Sequence, residues 1–253
     1  MRIAIGLFAL VVLFFASCRT TYINTHCFGG GSTGAIIKGE GGIVTSTLSL
    51  NNFTGIDCYL ANNVTISYGA TQEVKVTGHA NIIDRIKTDV TNNLWKLTLE
   101  NGCYQDYELS IHITIPTLNK VYLRGSGDIT INDFSNQNDL EIKLSGSGNI
   151  TLNSFEGAEN LMVSLSGSGS ITGNRDISTL NNLNLSLNGS GSYNGFPISA
   201  NACTVILSGS GSCKLTASNT LNATLSGSGS ILYKGSPSIT QNITGSGRIV
   251  NAN

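Results

Sequence analysis

The most regular chemistry-bearing side chain in this sequence is serine. The tripeptide Gly-Ser-Gly occurs seven times and places Ser126, Ser147, Ser168, Ser190, Ser210, Ser228 and Ser246 in equivalent positions. A serine hydroxyl becomes a nucleophile only beside a base. The three histidines, His26, His79 and His112, all precede the repeats, and His112 sits on the outward phase of LSIHITI. Hydrolysis or elimination on a polysaccharide needs clustered carboxylates, or a base with a cation. Residues 144–253 carry seven charged side chains, Glu156, Glu159, Arg175, Asp176, Lys214, Lys234 and Arg248. Glu156 and Glu159 share one segment but have no charged partner in a neighbouring repeat, and Arg175 with Asp176 reads as a solvated loop pair. Gly29, Gly31 and Gly34 match a dinucleotide fingerprint, and Gly30, Ser32 and Gly34 match a nucleophile elbow. Each pattern needs a strand before it and a helix after it, and the surrounding FGGGSTG and KGEGG supply neither. Calcium-binding glycine repeats need an aspartate in every copy, whereas only Asp128 follows a Gly-Ser-Gly. The residues therefore point to no catalytic site, no cofactor and no metal. They leave the seven serines as a candidate outward ladder that hydrogen-bonds a ligand.

The elements that would position such a ladder are set by the repeat interval. Successive copies begin at Gly125, Gly146, Gly167, Gly189, Gly209, Gly227 and Gly245, at spacings of 21, 21, 22, 20, 18 and 18 residues. Two residues before each copy stand Leu123, Leu144, Leu165, Leu187, Leu207, Leu225 and Ile243. Four residues after its first glycine stand Ile129, Ile150, Ile171, Tyr193, Cys213, Ile231 and Ile249. Polar residues alternate between these apolar columns, which is the period of strands with one buried face. Both glycines fall on the inward phase and the serine on the outward phase, so each tripeptide reads as a corner with no room inside for a Cβ. Like residues in register at a period near 20 mean parallel strands stacked one per coil. The fold class is all-β, a parallel β-helix of 18–22 residues per coil, with later coils narrower. Residues 45–120 are less regular, with one helical turn expected in NIIDRIKTDV at 81–90, and read as broader coils capping one end. Residues 121–253 form the regular helix, and Gln241, Asn242, Arg248, Asn251 and Asn253 make its far end polar.

Composition and the first residues give the address. Charged side chains are 11% of the chain and the net charge is −1, against roughly 25% charged in an ordinary domain. No basic excess exists to neutralise phosphates, so nucleic acid is not an expected partner. Glycine is abundant, at 30 residues, and argues against a helical protein. Residues 1–18, MRIAIGLFALVVLFFASC, read as a secretory signal. The small residues before Cys18 resemble a bacterial lipobox, with Phe15 where leucine is usual, so Cys18 is the expected lipidation site and membrane anchor. Residues 19–44 read as a Gly-rich flexible linker. Export permits disulfides. Five cysteines follow Cys18, an odd number with no zinc spacing. Cys203 and Cys213 occupy inward columns and read as small buried hydrophobes, whereas Cys58 and Cys103 lie in the wider early coils and are the better pair.

The segment NFTGIDCYLANNVTISYGATQEVKVTGHANIIDRIKTDV followed by serial LSGSGxI repeats resembles the GIN-type head domain of autotransporter adhesins, a family carried as a domain of unknown function, over about residues 50–250. The resemblance implies a right-handed single-stranded β-helix and the adhesin label, with no catalytic residues to carry over. No C-terminal membrane barrel is evident. The expected function is a lipid-anchored, exported, non-catalytic module that binds a glycan or another surface at the cell envelope. It would be an outer-membrane lipoprotein facing either the periplasm or the exterior. The alternative is a structural protein that self-associates by stacking end to end, and a polysaccharide-active enzyme ranks below both.

Overall fold

The structure is a computed structural model, and it describes residues 26–28, 35–132, 134–135, 137–153, 155–175 and 177–253. Lipidation at Cys18, the signal 1–18 and the two glycine patterns of 29–34 lie outside these residues.

Nearly every described element is a strand, and the chain forms a β-solenoid. One face holds the strands that precede each corner. Lys120–Leu123, Leu140–Leu144 and Asn160–Leu165 pair in parallel, and the stack continues through Ile177–Gly189, Ser192–Gly209, Ser212–Gly227 and Ser238–Thr244. A second face holds the strands after each corner, from Ile129–Asn132 through Asn149–Leu152 and Ser170–Gly173 to Ser230–Lys234 and Arg248–Asn251. The apolar columns lie in register: Leu123 opposes Leu144, Leu144 opposes Leu165, and Leu165 opposes Leu187. Those side chains are buried, as are their equivalents up to Leu225 and Ile231. In the last coil the same columns are uncovered, with Ile239 and Ile243 about 40% exposed.

The corner works differently from the sequence expectation. The second glycine of each of the first six tripeptides is buried and the first only partly so, while all seven serines are exposed. The space that excludes a Cβ is not the coil interior but the backbone of the preceding coil. A Cβ on Gly146 would overlap the carbonyl oxygen of Gly125, one on Gly167 that of Gly146, and one on Gly169 that of Gly148. Glycine is needed because successive corners touch backbone to backbone. In the later coils the contact becomes hydrogen bonding. The carbonyl of Gly189 accepts from the amides of Ser210 and Gly211, both at 3.1 Å, and that of Gly209 from Ser228 and Gly229, both at 3.0 Å. Here the first glycine also takes positive φ, +142° at Gly189 and +125° at Gly209.

A third, shorter side closes each coil. Phe134 bridges to Phe155 with ring centroids 5.8 Å apart. The next coils put Ile177 opposite Ile198 and then Ala200 opposite Ala217. Side-chain volume along this side falls as the repeat shortens, so the later coils are narrower.

The N-terminal end is built out of sequence order. Gly55–Cys58 pairs with Lys120–Leu123 on one side and with Leu94–Leu97 on the other. Asn63–Tyr68 likewise lies between Ile129–Asn132 and Leu109–Ile115. The coil formed by residues 94–115 therefore lies outside the coil formed by residues 55–68. Glu73–His79 and Ile43–Leu48 then add antiparallel strands, which end the parallel stacking and protect its edge. The helical turn is Ala80–Ile83. Trp95 is fully buried below this end, packs on Phe53 at 5.5 Å and donates its indole N–H to the carbonyl of Lys87 at 3.0 Å.

Two expectations are corrected. The segment 19–44 is not wholly a flexible linker: His26–Phe28 and Ile36–Lys38 flank Gly102–Gln105 in a three-stranded sheet. The disulfide is Cys27–Cys103, which sit opposite one another in that sheet. Cys58 was the expected partner of Cys103, but its side chain points into the solenoid between the register positions of Leu97 and Leu123. Cys58, Cys203 and Cys213 are free and fully buried.

Two outcomes follow from this packing. Gly167→Val should lower the urea midpoint more than the ~1–3 kcal/mol of ordinary overpacking implies, because backbone must move. Leu165→Ala should cost ~2–5 kcal/mol through its cavity, and Ser168→Val should stay within roughly 0.5 kcal/mol. A larger loss at Ser168 than at Gly167 would invert the corner. The second outcome concerns alkali. Burial pushes the Cys58 and Cys203 thiols from 9.0 up to about 12, and also raises the Cys213 thiol and the Tyr193 hydroxyl well above their usual values. The folded state holds these protons where the unfolded chain releases them. The stability they contribute is whole below pH 9.0 and is lost as pH rises toward about 12. The urea midpoint should therefore fall between pH 8.5 and 10.5, and a flat profile would contradict the burial of the thiols.

Candidate functional site

The serine ladder forms an exposed ridge along the corners. Ser228 and Ser246 hydrogen-bond to each other through their hydroxyls at 3.1 Å. The ridge is hydroxyl-rich but narrow, since each serine is flanked by glycines.

Broader polar surfaces flank it. On the face after the corner, Asn153 donates its amide to Asn132 Oδ1 at 2.7 Å and Asn174 to Asn153 Oδ1 at 2.9 Å. Nearer the corner, Asp128 Oδ1 accepts from both the backbone and the side chain of Asn149 at 2.9 Å. On the face before the corner, Asn160 donates to Asp139 Oδ1 at 2.9 Å and Asn182 to Asn160 Oδ1 at 2.7 Å. Each ladder repeats one side-chain bond from coil to coil, so parallel stacking holds the amides in fixed orientations.

Charge and aromatic surface concentrate at the N-terminal half of the face before the corner. One outward column runs Lys96, Asp57, Tyr122, Lys143 across four paired strands. Arg124 donates from Nε to Asp57 Oδ1 at 2.7 Å, and the cations of Arg124 and Lys96 lie 5.5 and 5.3 Å from the Tyr59 ring centre. Lys143 lies 4.7 Å over the Tyr122 ring, and Tyr122 donates its hydroxyl to Glu141 Oε2 at 2.6 Å. Partial burial raises the Glu141 carboxyl, but hydrogen bonds from Lys143 and Tyr122 outweigh it and hold the group below the usual carboxylate range. The hydrogen bond to Glu141 keeps the Lys143 ammonium above its usual value. Burial, then the Glu141 contact, raises the Tyr122 hydroxyl. At neutral pH these contacts keep Glu141 and Lys143 ionised and Tyr122 protonated, so the three form one fixed hydrogen-bonded group.

Glu156 and Glu159 are exposed on the loop side, and His112 is exposed on Leu109–Ile115. His79 Nδ1 accepts from the amide of Glu108 at 3.1 Å. Among the described residues no group of three or more His, Cys, Asp or Glu could hold a metal, and no helix is long and apolar enough to cross a membrane.

Beside the charged column lies an open groove of about 480 Å³, lined by Asn119, Lys120, Asp139, Leu140, Glu141, Asn160, Met162 and Asn184. Sequence reasoning missed it. Its residues come from four coils, and the outward column Lys120, Glu141, Met162, Asn184 along it changes residue type at every repeat. The signal that existed was the recurrence of Asp or Asn one residue before the inward leucines Leu140, Leu161 and Leu183, at Asp139, Asn160 and Asn182.

Comparison with known proteins places this architecture. A family model described as "Putative auto-transporter adhesin, head GIN domain" matches residues 52–237. A crystal structure of a "putative adhesin" from Bacteroides fragilis is 26% identical, covers 85% of this chain and 99% of its own, and superposes with a TM-score of 0.78. A "putative lipid binding protein" from Parabacteroides distasonis is 24% identical over 87% of this chain and 100% of its own, with a TM-score of 0.73. A "putative adhesin" from Parabacteroides merdae is 20% identical over 86% and 99%, with a TM-score of 0.65. The last two likenesses, at this identity, bear on the fold. No curated protein matches the chain. The solenoid with its seven glycine corners, and a family match covering most of the sequence, lead to one conclusion: the chain belongs to the family described as "Putative auto-transporter adhesin, head GIN domain".

Proposed function

We propose that the protein is a non-catalytic adhesin module of the bacterial envelope, lipid-anchored at Cys18, that binds a glycan or another surface through its solenoid faces. The observation that carries the reading is the set of coil-to-coil side-chain ladders, Asp139 with Asn160 and Asn182 above all. These pre-orient hydrogen-bonding groups on a rigid sheet, so little side-chain entropy is lost when a ligand binds. The tyrosines of the charged column add apolar ring surface with a polar tip, a composition enriched in recognition surfaces. The family name and the adhesin names of its structural relatives agree with this reading. An outer-membrane lipoprotein fits the small residues before Cys18, and diacylation would give a stable anchor. The serine ridge is the candidate for extended contact along the corners, and the ladder faces are the candidate for specific contact.

A second reading is self-association by end-to-end stacking. It is favoured by Ile239, Ile243 and Val250, exposed in the strands Ser238–Thr244 and Arg248–Asn251.

One experiment addresses anchor and binding together. Cys18→Ala should move the protein from the membrane fraction to the soluble fraction, or block its processing. The released variant should then bind at least one class on a glycan array and sediment as a monomer across concentration. A variant processed and retained like wild type contradicts the anchor. An empty array together with growth on concentration contradicts the adhesin reading and supports stacking.

A further inference from the structure

The groove on the face before the corner has a geometry that selects among ligands. It is bounded by two rows of side chains that run along the solenoid axis. One row is a register column, with Lys120 opposite Glu141, Glu141 opposite Met162 and Met162 opposite Asn184. The other is the hydrogen-bonded ladder of Asp139 and Asn160. Leu140, between Asp139 and Glu141 in sequence, turns its side chain into the core, whereas Met162 is 52% exposed on the outer face. The rows advance one side chain per coil, an interval of about 4.8 Å set by strand pairing. Met162 gives the trough of about 480 Å³ one exposed apolar surface among polar neighbours, and the trough is open.

Three ligand classes fit poorly. An acyl chain needs a continuous apolar lining, and Met162 is the single exposed apolar side chain among the residues that line the groove. An anionic chain meets two carboxylates, Asp139 and Glu141, against one ammonium, Lys120. An extended peptide adds to a free strand edge, whereas Leu140–Leu144 and Asn160–Leu165 are paired on both sides. What fits is a flat molecule with apolar faces and hydroxyls around its rim. A carboxylate accepts hydrogen bonds from neighbouring hydroxyls, and an amide both donates and accepts. The flexible thioether of Met162 adapts to a C–H face. Glu141 is held in place by Tyr122 and Lys143, and Asp139 by Asn160, so the rim groups are ordered in advance.

We propose that this groove is a binding site for an uncharged linear oligosaccharide of hexopyranose units, laid along the solenoid axis with a C–H face on Met162 and its hydroxyls on the polar side chains of the two rows. The proposal rests on the glycan reading above and narrows it to one site and one ligand class.

The sequence offers a direct probe, because Met162 is one of two methionines and the other is Met1. The full-length chain, labelled with carbon-13 at the methionine methyls and held in detergent, would be titrated with cellohexaose, laminarihexaose, mannohexaose and hexagalacturonate. The expected result is a saturable shift of the Met162 methyl with at least one neutral hexamer and no shift with hexagalacturonate. Asn160→Ala should weaken that binding at least tenfold while Arg248→Ala leaves it unchanged. Asn184→Ala, at an exposed position outside the ladder, serves as the second variant should the first disturb the fold. A shift produced equally by hexagalacturonate would overturn the ligand class. Neutral oligosaccharide bound without movement of Met162 would overturn the site and leave the glycan reading standing. No binding by any of the four would overturn the proposal, and an empty glycan array would remove the wider reading with it.

Discussion

Everything in this solenoid depends on one close contact, that of a corner glycine with the backbone of the corner beneath it. A Cβ at Gly146, Gly167 or Gly169 would overlap a carbonyl oxygen of the preceding coil. In the later coils that carbonyl accepts the two amides of the next Ser-Gly pair. The contact fixes where each coil turns, and so fixes the phase of the strands on either side. Once the phase is set, Leu123, Leu144, Leu165 and Leu187 must stack in one buried column, because a slip of one residue would turn every side chain to the other face. The serine between the glycines is then forced outward along the whole stack.

Uniform corners permit variable sides. The third side runs from the paired phenylalanines Phe134 and Phe155 to Ile177 and Ile198 and on to Ala200 and Ala217. The core tapers without disturbing the register of the other two faces. The corner itself changes along this taper, since the first glycine takes positive φ from Gly189 onward. The polar groups that recognition would use lie on the wide, earlier part of the stack. There the outward columns hold Lys96, Asp57, Tyr122, Lys143 and Glu141, whereas the later coils present mostly serine, threonine and asparagine.

The repeat made the regular half of the fold legible. Period-two columns and a glycine pair every 18 to 22 residues are enough to infer parallel stacking and the face each residue takes. The N-terminal end was not legible in the same way. The corner at Leu60, Ala61 and Asn62, on which Gly125 and Gly127 rest, carries no glycine. Nothing in the sequence marks that residues 94–115 lie outside residues 55–68. The Cys27–Cys103 bridge was hidden for the same reason. It staples a small end sheet whose first strand, His26–Phe28, is too short and too close to glycine-rich sequence to show a period. The ladders were half visible: Asp139, Asn160 and Asn182 recur at the repeat interval, but their bonding to each other and the groove beside them follow from stacking distance alone.

The corner contact can be observed directly by amide hydrogen exchange. Ser210, Gly211, Ser228 and Gly229 lie at the corners, with both serines exposed, where amides without a partner exchange within seconds, yet here each N–H donates to a glycine carbonyl of the preceding coil at 3.0–3.1 Å. These four amides should exchange as slowly as those of Leu207 and Leu225 in the buried columns, through global unfolding of the stack. Rapid exchange at all four, with the leucine amides still protected, would show that the corners are loose turns and that the columns alone hold the coils together.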